Sequence, residues 1–169
     1  MGWGSTLGDM DQSRDNKLLL LRTRPVEEWS LPSLFEMMLD ADAGIRDWAT
    51  FALAARDDDS HEVREALLSR ATDLDFDARS EAIWGLARRR DPRAVPLLLT
   101  ALKSDEIGTL FVEAAGYLAS AEFVEPLEQL LGWWDADTTL LEEAIARCQG
   151  KTVAGGRCWD IVRANDRSN

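Results

Sequence analysis

One histidine, two cysteines and 31 carboxylates are the side chains of this 169-residue chain that could do acid–base, nucleophilic or metal chemistry, and their spacing argues against all three. His61 stands between Ser60 and Glu62. A serine beside a histidine in sequence suits a helix start and provides no nucleophile–base geometry. Nor can two adjacent ligands hold a catalytic metal against water, since three or four protein ligands are usual. Asp59 and Glu62 have capping-box spacing, and an acid in a first turn favours the positive end of a helix. Asp57-Asp58-Asp59 and the alternating Asp73, Asp75 and Asp77 concentrate charge. They lack the central glycine and later bidentate glutamate of a calcium loop, so solvated turns and helix caps are expected. Gly155-Gly156 is not followed by the Lys-Ser/Thr of a phosphate loop. Neither a catalytic residue nor a cofactor nor a metal is expected.

The residues left for binding are cationic and aromatic. Arg88-Arg89-Arg90 with Arg93 is the basic cluster of the chain, and arginine suits bidentate recognition of acidic groups. Arg64 joins it as a contact candidate. Trp133-Trp134 follows Gly132, and two adjacent helical positions cannot both face inward. At least one of the pair is expected at the surface or under the C-terminal segment, packed by the chain's own tail or, alternatively, in contact with a partner. A formal net charge of -12 argues against gripping a phosphate backbone and steers the chain toward a basic protein partner. Two cysteines make no disulfide framework, and the apolar run Leu18 to Leu21 is too short for a signal core or a membrane span. A cytoplasmic monomer is expected.

These side chains are carried on a repeat. Ala49/Leu53, Ala82/Leu86, Ala114/Leu118 and Ala144/Cys148 each place a small residue four positions before an apolar one, at successive offsets of 33, 32 and 30 residues. Such pairs share a helix face, and alanine lets a neighbouring helix approach. Val63 to Ala71, Ala94 to Leu102 and Phe123 to Leu131 supply a second helix to each hairpin, and Leu31-Pro32-Ser33-Leu34 supplies an earlier copy. Pro32, Pro96 and Pro126 mark first helical turns, where a missing N–H costs nothing. Asp91, Ser120 and the Thr139/Glu142 pair read as caps. Trp84 shares its register with Phe51, so both are expected in the core.

The stretch Asp77-Ala78-Arg79-Ser80-Glu81-Ala82-Ile83-Trp84-Gly85-Leu86, continued by Asp91-Pro92-Arg93-Ala94-Val95-Pro96-Leu97, resembles the short HEAT-like repeats of bilin lyase-related proteins. Asp42-x-x-Ile45-Arg46-x-x-Ala49 repeats its opening. The resemblance implies an all-α, right-handed α-solenoid of about four to five helical hairpins. It also implies an inter-repeat ladder, carried here to Asp42, Arg46, Asp77 and Arg79, which stops where Phe111 replaces the arginine. HEAT-like deoxyhypusine hydroxylases bind iron through several His-Glu pairs, and one such pair falls short of that site. Residues 1–16 are expected to be a disordered tail, 17–148 the repeat domain, and 149–169 a capping segment in which Trp159 and Ile161 dock on the last repeat. The function expected is a non-enzymatic protein-interaction module of adaptor, inhibitor or immunity type. The alternative implied by the resemblance is a bilin lyase-like enzyme or chaperone handling a tetrapyrrole in the groove.

Overall fold

The computed structural model describes residues 6–134 and 136–153, and every regular element among them is helical. The fold is all-α. Trp159 and Ile161, expected to dock on the last repeat, lie outside the described residues, as do Gly155, Gly156 and Cys158. The chain forms two compact units, Met1–Ala82 and Ile83–Asn169.

The first unit holds α1 (Thr6–Thr23), a 3-10 turn at Val26–Glu28, α2 (Leu31–Met37), α3 (Ala43–Ala55), α4 (His61–Arg70) and the start of α5 (Phe76–Arg88). Its core is the periodic apolar face anticipated above, with Leu34, Ala49, Leu53, Val63 and Leu67 fully buried. Helix α1 takes in residues 6–16 of the segment expected as a tail. Its sequence has little apolar periodicity, and it is placed by tertiary contacts instead. It packs on α3, where a Cβ on Gly44 would lie 3.7 Å from Leu18 Cδ2. Arg14 pairs with Asp42, and Lys17 Nζ reaches Asp40 Oδ2 at 2.9 Å.

The second unit continues α5 into α6 (Ala94–Ala101), α7 (Thr109–Leu118), α8 (Val124–Glu128) flanked by 3-10 turns at Ala121–Phe123 and Gln129–Gly132, and α9 (Thr138–Cys148). Helix α9 lies against α7 over the small residues Ala114, Ala115 and Gly116. Arg147 Nε donates to the Gly116 carbonyl at 2.9 Å, and Cys148 Sγ sits 3.5 Å from that of Ala115. Leu118 is only half-buried, unlike its repeat partners Leu53, Leu86 and Cys148. Trp84 and Phe51 are also half-buried rather than core, for their helices turn the smaller Ala82, Leu86, Ala49 and Leu53 inward.

Pro32, Pro96 and Pro126 all fall in first turns. Three caps shift. Ser60, not Asp59, accepts from Val63 N, because Asp59 is taken by Arg64. Asp137, not Thr139, caps α9 by accepting from Leu140 N. Asp91 accepts from Arg93 N, one turn ahead of α6. Ser120 caps its own short turn through Glu122 N.

Candidate functional site

The turns before α3 and α5 share a motif, Asp-x-Asp-x-x-x-Arg, at residues 40–46 and again 33 positions later at 73–79. In each copy the first aspartate accepts from the backbone N–H of the second, Asp42 or Asp75, at 3.0 Å. The second aspartate caps the helix through Ile45 N or Ala78 N. The arginine then turns back on the preceding carbonyls, Arg46 on those of Asp40 and Ala41, Arg79 on those of Asp73 and Leu74. Between copies, Arg46 grips Asp73 through Nε at 2.9 Å and Nη2 at 3.0 Å, and Arg70 Nη1 adds a third bond at 3.1 Å. Lys17 of α1 fills on Asp40 the place that Arg46 fills on Asp73.

Arg46 therefore donates to Asp73, not to the expected Asp77, while Asp40 and the expected Asp42 both accept from cations of α1, Lys17 and Arg14. Asp42 is a cap, and Asp77 is an exposed first-turn residue whose carbonyl accepts from Ser80 Oγ. Electrostatics follow the contacts. The Arg46 bonds hold the Asp73 carboxyl below the usual range despite burial, and Asp73 raises Arg46 in return. The Asp42 N–H, then Lys17, lower Asp40. An open groove lies at this edge, with Arg46 and Asp73 in its lining beside Leu39 and Leu74, which are 72% and 97% exposed.

The arginine cluster is distributed among separate structural tasks. Arg88 stacks 5.0 Å from the centre of the Trp84 ring, whose Nε1 donates to Glu113 at 2.8 Å. Arg89 is buried and donates to the Gly85 carbonyl. Arg93 clasps the buried Asp91 carboxylate with Nε at 2.9 Å and Nη2 at 2.7 Å. Arg90 is exposed, at the left-handed end of α5 with φ 50°. Arg64 is held by Asp59 at 2.7 Å. Charge that looks contiguous in sequence is thus largely spent on the fold's own turns.

Trp133 and Trp134 part company. Phe123, Leu127, Leu130 and Trp134 form the buried stripe of the α8 segment, and Trp134 Nε1 donates to the Asp137 carbonyl at 3.3 Å. Trp134 is therefore a packing residue, not an interface residue. Trp133 stands 59% exposed, with its ring edge-on to Trp134 at 6.4 Å. Glu122, Glu125, Glu128 and Leu131 lie on the solvent side of the same segment.

The family model for HEAT repeats matches residues 31–111, the span that contains both Asp-x-Asp-x-x-x-Arg turns. Residues 31–111 are similar to HEAT repeats. Protein YibA of Escherichia coli K12 is 29% identical over 116 residues, covering 69% of this chain and 41% of YibA, and the YibA of strain O157:H7 gives the same figures. The chain thus spans less than half the length of the curated relatives it matches. An X-ray structure of E. coli YibA superposes with a TM-score of 0.62 at 22% identity, covering 80% of this chain and 55% of that one, which supports the shared helical fold.

The residues weighed for chemistry have structural surroundings. The His61 side chain is 79% exposed, and its Nδ1 is 3.9 Å from Glu65. The backbone N–H and Ser60 lower the Glu62 carboxyl. Burial pushes the Cys148 thiol up to about 12, so it stays protonated and inert at neutral pH. Asp58 holds Arg56, and Asp59 holds Arg64. Among the described residues no three metal-ligating side chains converge, and no helix is long and apolar enough to cross a membrane.

Proposed function

We propose that this chain is a non-enzymatic protein-interaction module, of adaptor, inhibitor or immunity type, whose recognition surface includes Trp133. HEAT repeats commonly serve protein contacts, since stacked hairpins expose a large area for their mass. The exposure of Trp133 carries the reading. Every other aromatic side chain among the described residues is buried or half-buried, whereas this indole stands 59% open beside the exposed Leu131. Large aromatics are the usual anchors of interfaces and costly to leave in water. The arginines anticipated as contacts are mostly engaged inside the fold, which moves the weight of the surface to this end.

The test is capture from the source lysate on immobilised wild type and Trp133→Ala, with circular dichroism to confirm that the variant folds. A stoichiometric protein held by wild type and lost by the variant supports the module. Identical capture by both, or an empty wild-type column, overturns it.

A further inference from the structure

We propose that the face of the α8 segment bearing Leu131 and Trp133 docks a basic amphipathic helix of a partner protein. This rests on Trp133 being an interface residue, and adds the partner's chemistry. Glu122, Glu125, Glu128 and Leu131 recur every three residues along a run that is 3-10 at both ends and α-helical between. In a 3-10 turn residues three apart eclipse, and in an α-helix they are neighbours, so the four make one row. All four are exposed, while Phe123, Leu127 and Leu130 point into the core. The row is thus three carboxylates followed by Leu131, and the exposed Trp133 comes two residues further along the chain.

Two of the acids meet neutral groups inside the chain, Ser120 Oγ at 3.4 Å from Glu122 and Gln149 Nε2 at 3.2 Å from Glu128. Lysines or arginines three and four apart on a partner helix repeat at about 5–6 Å, the interval of this row. A leucine-sized residue one turn further on would cover Leu131 and the Trp133 ring. The net charge of -12 favours the encounter with such a cation and repels phosphate backbones.

The probe is a tryptophan-free, amidated model helix with lysines at i, i+4 spacing and leucines on its other face, titrated calorimetrically into the full chain. Its control peptide carries glutamate for lysine. Saturable binding of the basic peptide alone is expected. The Glu122→Gln/Glu125→Gln/Glu128→Gln variant should weaken it about tenfold or more and flatten its salt dependence. Trp133→Ala should weaken it comparably, while Glu27→Gln/Glu36→Gln/Asp105→Asn, which removes as much exposed charge elsewhere, should leave it unchanged.

Equal loss in that control variant would mean diffuse charge attraction and overturn the proposal, as would unchanged affinity in the glutamate triple. Absence of saturable binding to wild type overturns it too, whether residues 154–169 or a second copy occupy the face. Sedimentation of wild type against Trp133→Ala identifies the second copy. If lysate capture depends on Trp133 but not on the three glutamates, the interaction module stands and the basic helix falls.

Discussion

In the first unit the turns before α3 and α5 are closed by carboxylates and guanidinium groups, whereas in the second unit α7 starts after a glycine that makes no side-chain cap. Gly108 precedes α7, and Phe111, buried, stands where the repeat places the ladder arginine. The ends of the first helices differ in the same sense. Helix α3 ends at Arg56 in extended backbone, and its Nη1 donates to the carbonyls of Val26 at 2.9 Å and Trp29 at 3.0 Å. Helices α5 and α7 end instead on left-handed residues, Arg90 and Ala119, at φ 50° and 49°. One hairpin geometry is thus held by ion pairs in one place and by apolar packing in another. Desolvation explains why the exchange is possible, since a buried pair replaced whole by apolar groups is near neutral. What the fold cannot tolerate is half of a pair.

The largest effect should therefore come from Asp73→Ala. It removes the acceptor of Arg46, Arg70 and the Asp75 N–H together, in a pair whose side chains are 17% and 5% exposed. A loss of about 3 kcal/mol is expected, a fall in Tm of roughly 6–12 °C by calorimetry. Adding Arg46→Met and Arg70→Met should recover most of it. If the triple variant is no better than Asp73→Ala, the turn before α5 needs its ions in a way the turn before α7 does not. The comparison would then be one of kind rather than of alternatives.

How much of this was legible in the sequence depends on which neighbours compete. The Ala/apolar pairs and the first-turn prolines located the helices, because periodicity and a missing N–H act locally. The caps were displaced where an acid and a hydroxyl sit close together: at Asp59-Ser60 the acid is taken by Arg64, and at Asp137 to Thr139 the helix already starts at Thr138. The ladder arginines were legible, but the acids were misassigned. Aspartates alternate at 73, 75 and 77, and only the 33-residue recurrence of the whole Asp-x-Asp-x-x-x-Arg motif separates acceptor from cap. Helix α1 was hidden because its stability lies in α3 rather than in its own pattern. For the tryptophan pair, adjacency shows that one must be outside, and the spacing of Trp134 from Leu130 and Leu127 chooses the other.

A smaller, pH-dependent effect tests whether the acid-rich turns cost the first unit anything. Asp47 on α3 is half-buried, and burial, followed by repulsion from Asp77 and Asp75, pushes its carboxyl up to about 6, against an opposing pull from Arg22. A carboxyl raised above its unfolded value binds its proton more tightly in the folded state. Stability should then increase as pH falls from about 6.5 toward 4, and turn down below 4 as Asp73 and Asp40, held low, are protonated. Asp47→Asn should flatten the upper limb and add about 1 kcal/mol at pH 7, the shift being discounted for partial exposure. An unchanged pH profile would show that water already screens this group.

The smallest effect belongs to the second unit. An L-residue with a side chain pays for left-handed backbone, and glycine does not, although glycine loses more freedom on folding. Ala119→Gly should therefore stabilise by about 0.5 kcal/mol, and Arg90→Gly, at an exposed side chain, by a similar amount. The same change at Arg56 should act in the opposite direction. Its φ of -73° carries no strain, and its guanidinium satisfies two carbonyls and Asp58. Opposite signs at equivalent helix ends, read from Tm in one buffer, would show that backbone strain in one unit and side-chain bonding in the other close the same hairpin. Equal signs would mean that the two ends share a determinant other than φ.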